Sequence, residues 1–129
     1  MKKRNDLPDL SRAEYDILRI LWKDKRLTVR EVHDRLQGAY QWAYSTTKTM
    51  MDRMVSKGLL ERGSFHGIYL YSPLISRPHG MAQMIRFFAD RVLELDTGTV
   101  VSLFARSKAI SLEEMKELDD LLKNDKKED

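Results

Sequence analysis

At 129 residues, 42% hydrophobic and without a cysteine, the chain is sized for one domain, or one small domain with an appendage, and excludes disulfides, thiolate metal sites and cysteine nucleophiles. No apolar run nears the roughly 18 residues of a transmembrane helix, and the charged start Met1–Asp6 is unlike a signal peptide, so a cytoplasmic protein is expected. The net charge of +3 is uneven, with 15 Lys/Arg against 9 Asp/Glu in residues 1–77 and 8 against 11 in residues 78–129, so that only the first part is suited to meet a polyanion.

Residues 2–6 read as a loose basic arm. The first helix is predicted from Leu10 to Lys23. Ser11 and Glu14 form a capping box, with Leu10 and Tyr15 as a hydrophobic staple across it. Leu10, Ala13, Ile17, Ile20 and Leu21 make its inner stripe, closed by Trp22. After a short connector, Asp24 to Leu27, the second helix runs from Thr28 to Gln37. It repeats the signal, with Thr28 and Glu31 as the box and Leu27 and Val32 as the staple. Val29, Val32 and Leu36 face inward, and Gly38 ends it.

The third helix is expected to start at Ser45 and to end at Gly58, a C′ residue suited to positive φ. On a wheel of about 100° per residue, Met50, Met51 and Met54 all fall within roughly 60° of Thr47 and form an inner stripe with it. Ser45, Lys48, Thr49, Asp52, Arg53 and Ser56 occupy the other side. Hydroxyls with a Lys and an Arg are the groups that reach phosphate oxygens and base edges. The box breaks here, because Lys48 stands where the other helices carry Glu. No carboxylate then blocks the free N–H groups at the helix start, which leaves a place for phosphate.

Leu59 to Arg62 reads as a strand, Gly63 to Gly67 as a turn, and Ile68 to Ser72 as a second strand ending at Pro73. Three helices and a hairpin in this order suggest a winged helix, with the third helix in the major groove and the hairpin near the DNA backbone. His66, at the hairpin, is placed to touch a phosphate when protonated.

Pro73 to His79, including Pro78, reads as a hinge. Met81 to Leu95 is expected as one long amphipathic helix with Met81, Met84, Ile85, Phe88, Val92 and Leu95 along one side, interrupted at Gly98. Thr99 to Arg106 follows as a short apolar helix carrying Val100, Val101, Leu103 and Phe104. Ser111 and Glu114 form a third capping box, stapled by Ile110 and Met115. Leu112, Met115, Leu118, Leu121 and Leu122 give the last helix its apolar side, and Lys123 to Asp129 reads as a frayed tail. So small a helical region cannot bury these rows alone. They must pack on the first part, as an intramolecular cap, or on a second chain; the proline-bearing hinge favours the second chain and hence a two-fold homodimer, with Met81, Ile85, Phe88, Val92, Leu95, Val101, Phe104, Leu118 and Leu122 in the seam.

The expected fold class is therefore mainly α with a small β-hairpin. A winged helix-turn-helix DNA-binding domain spans residues 7–77, a helical dimerisation region spans 78–124, and residues 1–6 and 125–129 are flexible tails. His33, His66 and His79 have no ligand spacing, so neither a metal nor a cofactor is expected. No phosphate-binding Gly loop, nucleophile elbow or paired-acid motif suggests an enzyme, and Asp119 with Asp120 reads as a solvated helix face. Two other readings stay open. One is a winged helix that binds protein, which should expose aromatic or aliphatic groups on its third helix. The other is a regulator with a small-molecule pocket between its two parts.

The segments Leu10–Trp22, Leu27–Val32, Trp42–Thr49 with Asp52 and Arg53, Lys57–Leu60, Tyr69–Leu74 and Ser111–Met115 together resemble the penicillinase-repressor (BlaI/MecI-type) family in order and spacing, over roughly residues 10 to 124. The resemblance implies a dimeric winged-helix repressor on a palindromic operator. It puts Ser45, Thr46, Lys48, Thr49 and Arg53 in the places of the family's groove-facing residues. Members induced through a β-lactam sensor are cut at an Asn-Phe bond, by a sensor-linked protease. The equivalent bond here is Leu103–Phe104, without the Asn. The copper-responsive branch carries a C-terminal cysteine cluster that this chain lacks.

Overall fold

The computed structural model describes residues 9–127, with side chains through Lys123. The expected basic arm at residues 2–6 lies outside the described residues. Contacts divide the chain into two compact units, Leu10–Ser76 and one built mainly from Arg77 onward.

In the first unit, α1 (Arg12–Asp24) and α2 (Val29–Leu36) both start on reciprocal capping boxes. Glu14 N–H donates to Ser11 Oγ at 3.1 Å and Ser11 N–H to Glu14 Oε1 at 2.9 Å. Thr28 and Glu31 repeat this at 3.1 and 2.9 Å. Two of the otherwise unpaired amides at each helix start are thereby satisfied. The core gathers Ile17, Leu18 and Leu21 of α1, Leu27, Val29, Val32 and Leu36 on and before α2, and Met51, Met54, Leu59, Leu60 and Tyr71 beyond. Leu18 is fully buried whereas Ala13 and Ile20 are only partly so, which corrects the expected stripe. The reason is that α1 packs on α2, the third helix and the second strand together, so its apolar face is wider than one row.

The connector before α2 is more than a link. Leu27 N–H donates to Tyr71 O at 3.1 Å and Tyr71 N–H to Leu27 O at 2.8 Å, so Leu27 forms an antiparallel bridge to the hairpin. Helix α3 spans Tyr44–Ser56 with Ala43 as N-cap and no side-chain cap. It therefore starts one residue before Ser45. Its end is a Schellman motif: Leu59 N–H reaches Met54 O at 2.9 Å and Gly58 N–H reaches Val55 O at 3.0 Å, with Gly58 at φ 80°.

The strands β1 (Leu60–Phe65) and β2 (Ile68–Pro73) pair antiparallel, with Phe65 opposite Ile68 and Leu60 opposite Pro73. The five-residue turn expected at Gly63–Gly67 is in fact two residues, His66 and Gly67, at φ 51° and 83°. Two positive φ values give the turn whose twist matches that of paired strands, so Gly63, Ser64 and Phe65 stay in β1. Beyond β2, Trp22 Nε1–H donates to Ile75 O at 2.9 Å and ties the exit strand to α1.

In the second unit, α4 (Arg77–Phe87) begins inside the expected hinge. Pro78 sits in its first turn, where a missing N–H costs nothing. The single helix expected to reach Leu95 changes to a π-helical turn over Phe88–Val92 and stops where Glu94 takes φ 54°. Helix α5 (Thr97–Ser107) is capped by Asp96, which accepts from Thr99 N–H at 2.8 Å. Gly98 lies inside that first turn and does not interrupt the chain. Helix α6 (Leu112–Lys127) starts on the Ser111–Glu114 box, both bonds at 3.1 Å, and continues through part of the expected frayed tail. Arg77 clamps Glu114 with two bonds, at 3.0 and 2.9 Å, which ties the start of α4 to the start of α6. Ala82, Ile85, Ala89, Val100, Val101, Ile110, Leu118 and Leu122 form this unit's core. Leu112, expected on the apolar side, is 88% exposed, because it is the first residue of α6 and precedes the stripe.

Candidate nucleic-acid interface

The rotation of α3 about its axis decides which residues it offers. Thr47, Met51 and Met54 are fully buried, and Thr47 adds a directional anchor. His33, buried on α2, has Nδ1 2.8 Å from Thr47 Oγ1 and Nε2 2.8 Å from the Gln37 amide nitrogen. With that amide donating to Nε2, the ring proton sits on Nδ1 and is donated to Thr47. The two helices of the helix-turn-helix are thus locked by a polar bond inside an apolar contact. Their connection is held by Tyr40, whose hydroxyl donates to Asp16 Oδ2 at 2.6 Å and whose ring lies 4.5 Å from that of Trp42.

This rotation leaves Ser45, Thr46, Lys48, Thr49 and Arg53 all exposed. Ser45, Thr46, Thr49 and Arg53, with Met50 as floor, line one shallow concavity of about 240 Å³. Arg53 has no carboxylate partner among the described residues. Lys48 does: its Nζ donates to Asp52 Oδ2 at 2.7 Å. Lys57, at the far end of α3, is committed to the buried Glu14, 2.5 Å away. Burial works against the Glu14 charge, but Lys57 and Ser11 hold its carboxyl below the usual range.

Asp52 collects three donors. Besides Lys48 it accepts from Arg62 Nη1 at 3.0 Å and from the Tyr71 hydroxyl at 2.6 Å, both on the hairpin. Burial raises its pKa, yet the bonds from Lys48, Tyr71 and Arg62 outweigh this and keep it ionised below the usual value. Burial, then the Asp52 bond, push the Tyr71 phenol up to about 12. Arg62 also lies over the Tyr69 ring at 4.6 Å, and Arg30 of α2 lies over the Tyr44 ring at 4.4 Å. None of these three arrangements was anticipated. The spacing of Lys48 and Asp52 is legible as a helical i,i+4 pair, but Arg62 and Tyr71 join it only through the hairpin register, and Arg30 meets Tyr44 only through the packing of α2 on α3.

The other expected residues are placed as follows. His66 occupies the hairpin turn, its ring edge-on to Phe65 at 4.2 Å, and does not line the α3 concavity. His33 is consumed by the α2–α3 bond, and His79 lies in α4. Among the described residues no three His, Asp or Glu side chains converge as a metal site. Of the nine expected seam residues, Ile85, Val101, Leu118 and Leu122 are buried in the second unit's own core, and Met81 and Phe104 pack against it. Phe88, Val92 and Leu95 remain exposed, at 52, 52 and 40%. The Leu103–Phe104 bond lies within α5, with Leu103 outward and Phe104 partly buried. No helix of the described residues is long and apolar enough to cross a membrane.

A helix-turn-helix with an exposed hydroxyl-and-cation helix and a following hairpin defines the winged-helix class of DNA-binding transcriptional repressors. Within that class, the chain belongs to the penicillinase repressor family, whose sequence profile matches residues 10–124. It is 29% identical to the penicillinase repressor of Bacillus licheniformis, over 99% of this chain and all of that one. It is 25% identical to the penicillinase repressor of Staphylococcus aureus, over 92 and 94% of the two chains. Its fold is similar to the solution structure of the monomeric form of BlaI from Bacillus licheniformis in complex with the blaP half-operator. That match has a TM-score of 0.50 and 27% identity, and covers 57% of this chain and 90% of that one.

Proposed function

We propose that the chain acts in the cytoplasm as a homodimeric repressor on a palindromic operator, each protomer seating α3 in the major groove of one half-site. The observation that carries this reading is the split of α3 into a buried face, Thr47, Met51 and Met54, and an exposed one on which Ser45, Thr46, Thr49 and Arg53 share a concavity. Arg53, long and without a carboxylate partner among the described residues, reaches a base edge; Ser45, Thr46 and Thr49 hydrogen-bond to phosphate or base edges, and Lys48 adds a charge-assisted contact. His66, at the hairpin turn, approaches the backbone. The two half-sites lie about one or two helical turns apart. The complex of monomeric BlaI from Bacillus licheniformis with the blaP half-operator is in keeping with one protomer per half-site.

The dimer rests on exposed apolar surface of the second unit. Phe88, Val92 and Leu95 lie open to solvent, with Phe87, Leu93 and Leu103 exposed as well. Exposed apolar residues gathered on one small unit suit an interaction surface. Joining two modest half-site contacts in one molecule raises the effective concentration of the second, so separating the protomers, whether by a sensor-linked protease cutting at Leu103–Phe104 or by a ligand, releases the operator.

Recovery of the DNA bound by the chain across a genome tests the reading. The expected result is a single palindrome with a fixed half-site spacing; DNA recovered without any shared sequence overturns it. On a duplex carrying that palindrome, Arg53→Ala is expected to cost about 1–3 kcal/mol of binding. Unchanged affinity removes Arg53 from the interface.

A further inference from the structure

The groove-facing side of α3 carries one carboxylate, Asp52, and its placement is unusual for a surface that meets a polyanion. A lone acidic group there repels phosphate. Yet it cannot swing aside. The Tyr71 hydroxyl that holds Oδ1 at 2.6 Å belongs to a fully buried side chain, and Arg62 grips the same oxygen at 3.0 Å. Lys48 holds Oδ2 at 2.7 Å. One carboxylate thereby engages two cations, one on α3 and one on β1, while both keep part of their surface open to water, at 49 and 35%.

We infer that Asp52 is a specificity-determining residue, whose charge withholds Lys48 and Arg62 from the phosphates of DNA at large and fixes the hairpin against the recognition helix. This rests on the DNA-binding reading of α3. Binding to arbitrary sequence is almost wholly electrostatic and grows with each cation that replaces condensed counterions. Binding to the operator also draws on base contacts, which here fall to Arg53 and the hydroxyls, while Lys48 makes its contact from the position Asp52 holds it in and neither it nor Arg62 needs to be free. An internal anion that occupies those two cations lowers the first kind of binding more than the second. It also holds Arg62, stacked over Tyr69, in place between the hairpin and α3.

The test is Asp52→Asn in the full chain, which keeps the size and an acceptor for Tyr71 and Arg62 but removes the charge. Affinity is measured over a salt series on a random-sequence duplex and on the palindrome recovered from the genome. For the random duplex, affinity is expected to rise several-fold. The slope of log K against log salt should steepen by about 1–2, near 0.9 for each cation freed. The ratio of operator to random affinity should fall. Asp52→Glu, which restores the charge, is expected to return the slope towards that of the wild type. Tyr71→Phe removes the hydroxyl bonded to Asp52 and leaves both cations paired, so it should lower stability without moving the slope. Wild-type slope and ratio in Asp52→Asn overturn the inference, as does a Tyr71→Phe slope that moves as far as the Asp52→Asn one. A wild-type protein whose binding ignores salt on both duplexes overturns the underlying reading of α3 instead, and is told apart by needing no variant.

Discussion

Among single residues, Thr47 stands out in setting which face of α3 is exposed. It is a hydroxyl in the middle of an apolar contact, fully buried and bonded to the Nδ1 of His33. A methionine or leucine there would pack but would not fix a direction. The bond orients α3 about its axis and so decides that Ser45, Thr49 and Arg53 face outward together. Thr47→Val keeps the shape and removes the acceptor, leaving a buried imidazole N–H without a partner. That is expected to destabilise the protein by about 1–3 kcal/mol. Urea unfolding measures it, with Thr47→Ser as the control that keeps the bond and loses one methyl. If the valine variant proves no less stable than the serine one, the bond contributes nothing net and Met51 with Met54 sets the rotation alone.

Within elements, what could be read from the chain depended on whether the cause was local. The starts of α1, α2 and α6 were legible, because a capping box needs only four consecutive residues. The end of α3 was legible for the same reason, since only Gly58 suits its φ of 80°. A Cβ added at Gly58 meets nothing within 4 Å, so Gly58→Ala is expected to cost only the backbone strain, about 1–2 kcal/mol, seen as a lower melting temperature with the spectrum of the folded state unchanged. The start of α3 was not legible: Tyr44 joins the helix where Arg30 covers its ring and His33 meets it edge-on at 5.8 Å, contacts that come from a different helix. The hairpin turn was misjudged because Gly63 and Ser64 look like turn residues, whereas pairing with Tyr69 and Leu70 keeps them in the strand. The hydroxyl-and-cation face of α3 and its Lys48–Asp52 pair were readable from periodicity, but the hold of Arg62 and Tyr71 on Asp52 from the hairpin side was not. Over residues 81–95 the expected single helix gives way to a π-helical turn at Phe88–Val92, so its apolar row divides. The large residues Phe88, Val92 and Leu95 point outward, while the small Ala82 and Ala89 close the unit's own core, where a short side chain lets helices approach.

At the scale of the whole molecule, that outward row separates two kinds of apolar residue that look alike in the sequence, those that hold a protomer together and those proposed to hold two protomers. Leu118 is fully buried in the second unit's core and Phe88 is half exposed. Leu118→Asp places an unpaired charge in that core and is expected to unfold the unit, since such a charge costs several kcal/mol. Phe88→Asp puts the charge where a lone protomer can keep it in water. Its helical spectrum should match the wild type, while sedimentation should show monomers at concentrations where the proposed wild-type dimer forms. Binding then separates in a way that neither unfolding nor a damaged α3 can imitate. Affinity for a single half-site should be unchanged. Affinity for the full palindrome should fall by about 10²–10⁴, the factor that linkage of two sites supplies. A Phe88→Asp protein that sediments and binds the palindrome as the wild type does places the seam away from α4 and its π-helical extension, and leaves Leu103 on α5 as the next residue to charge.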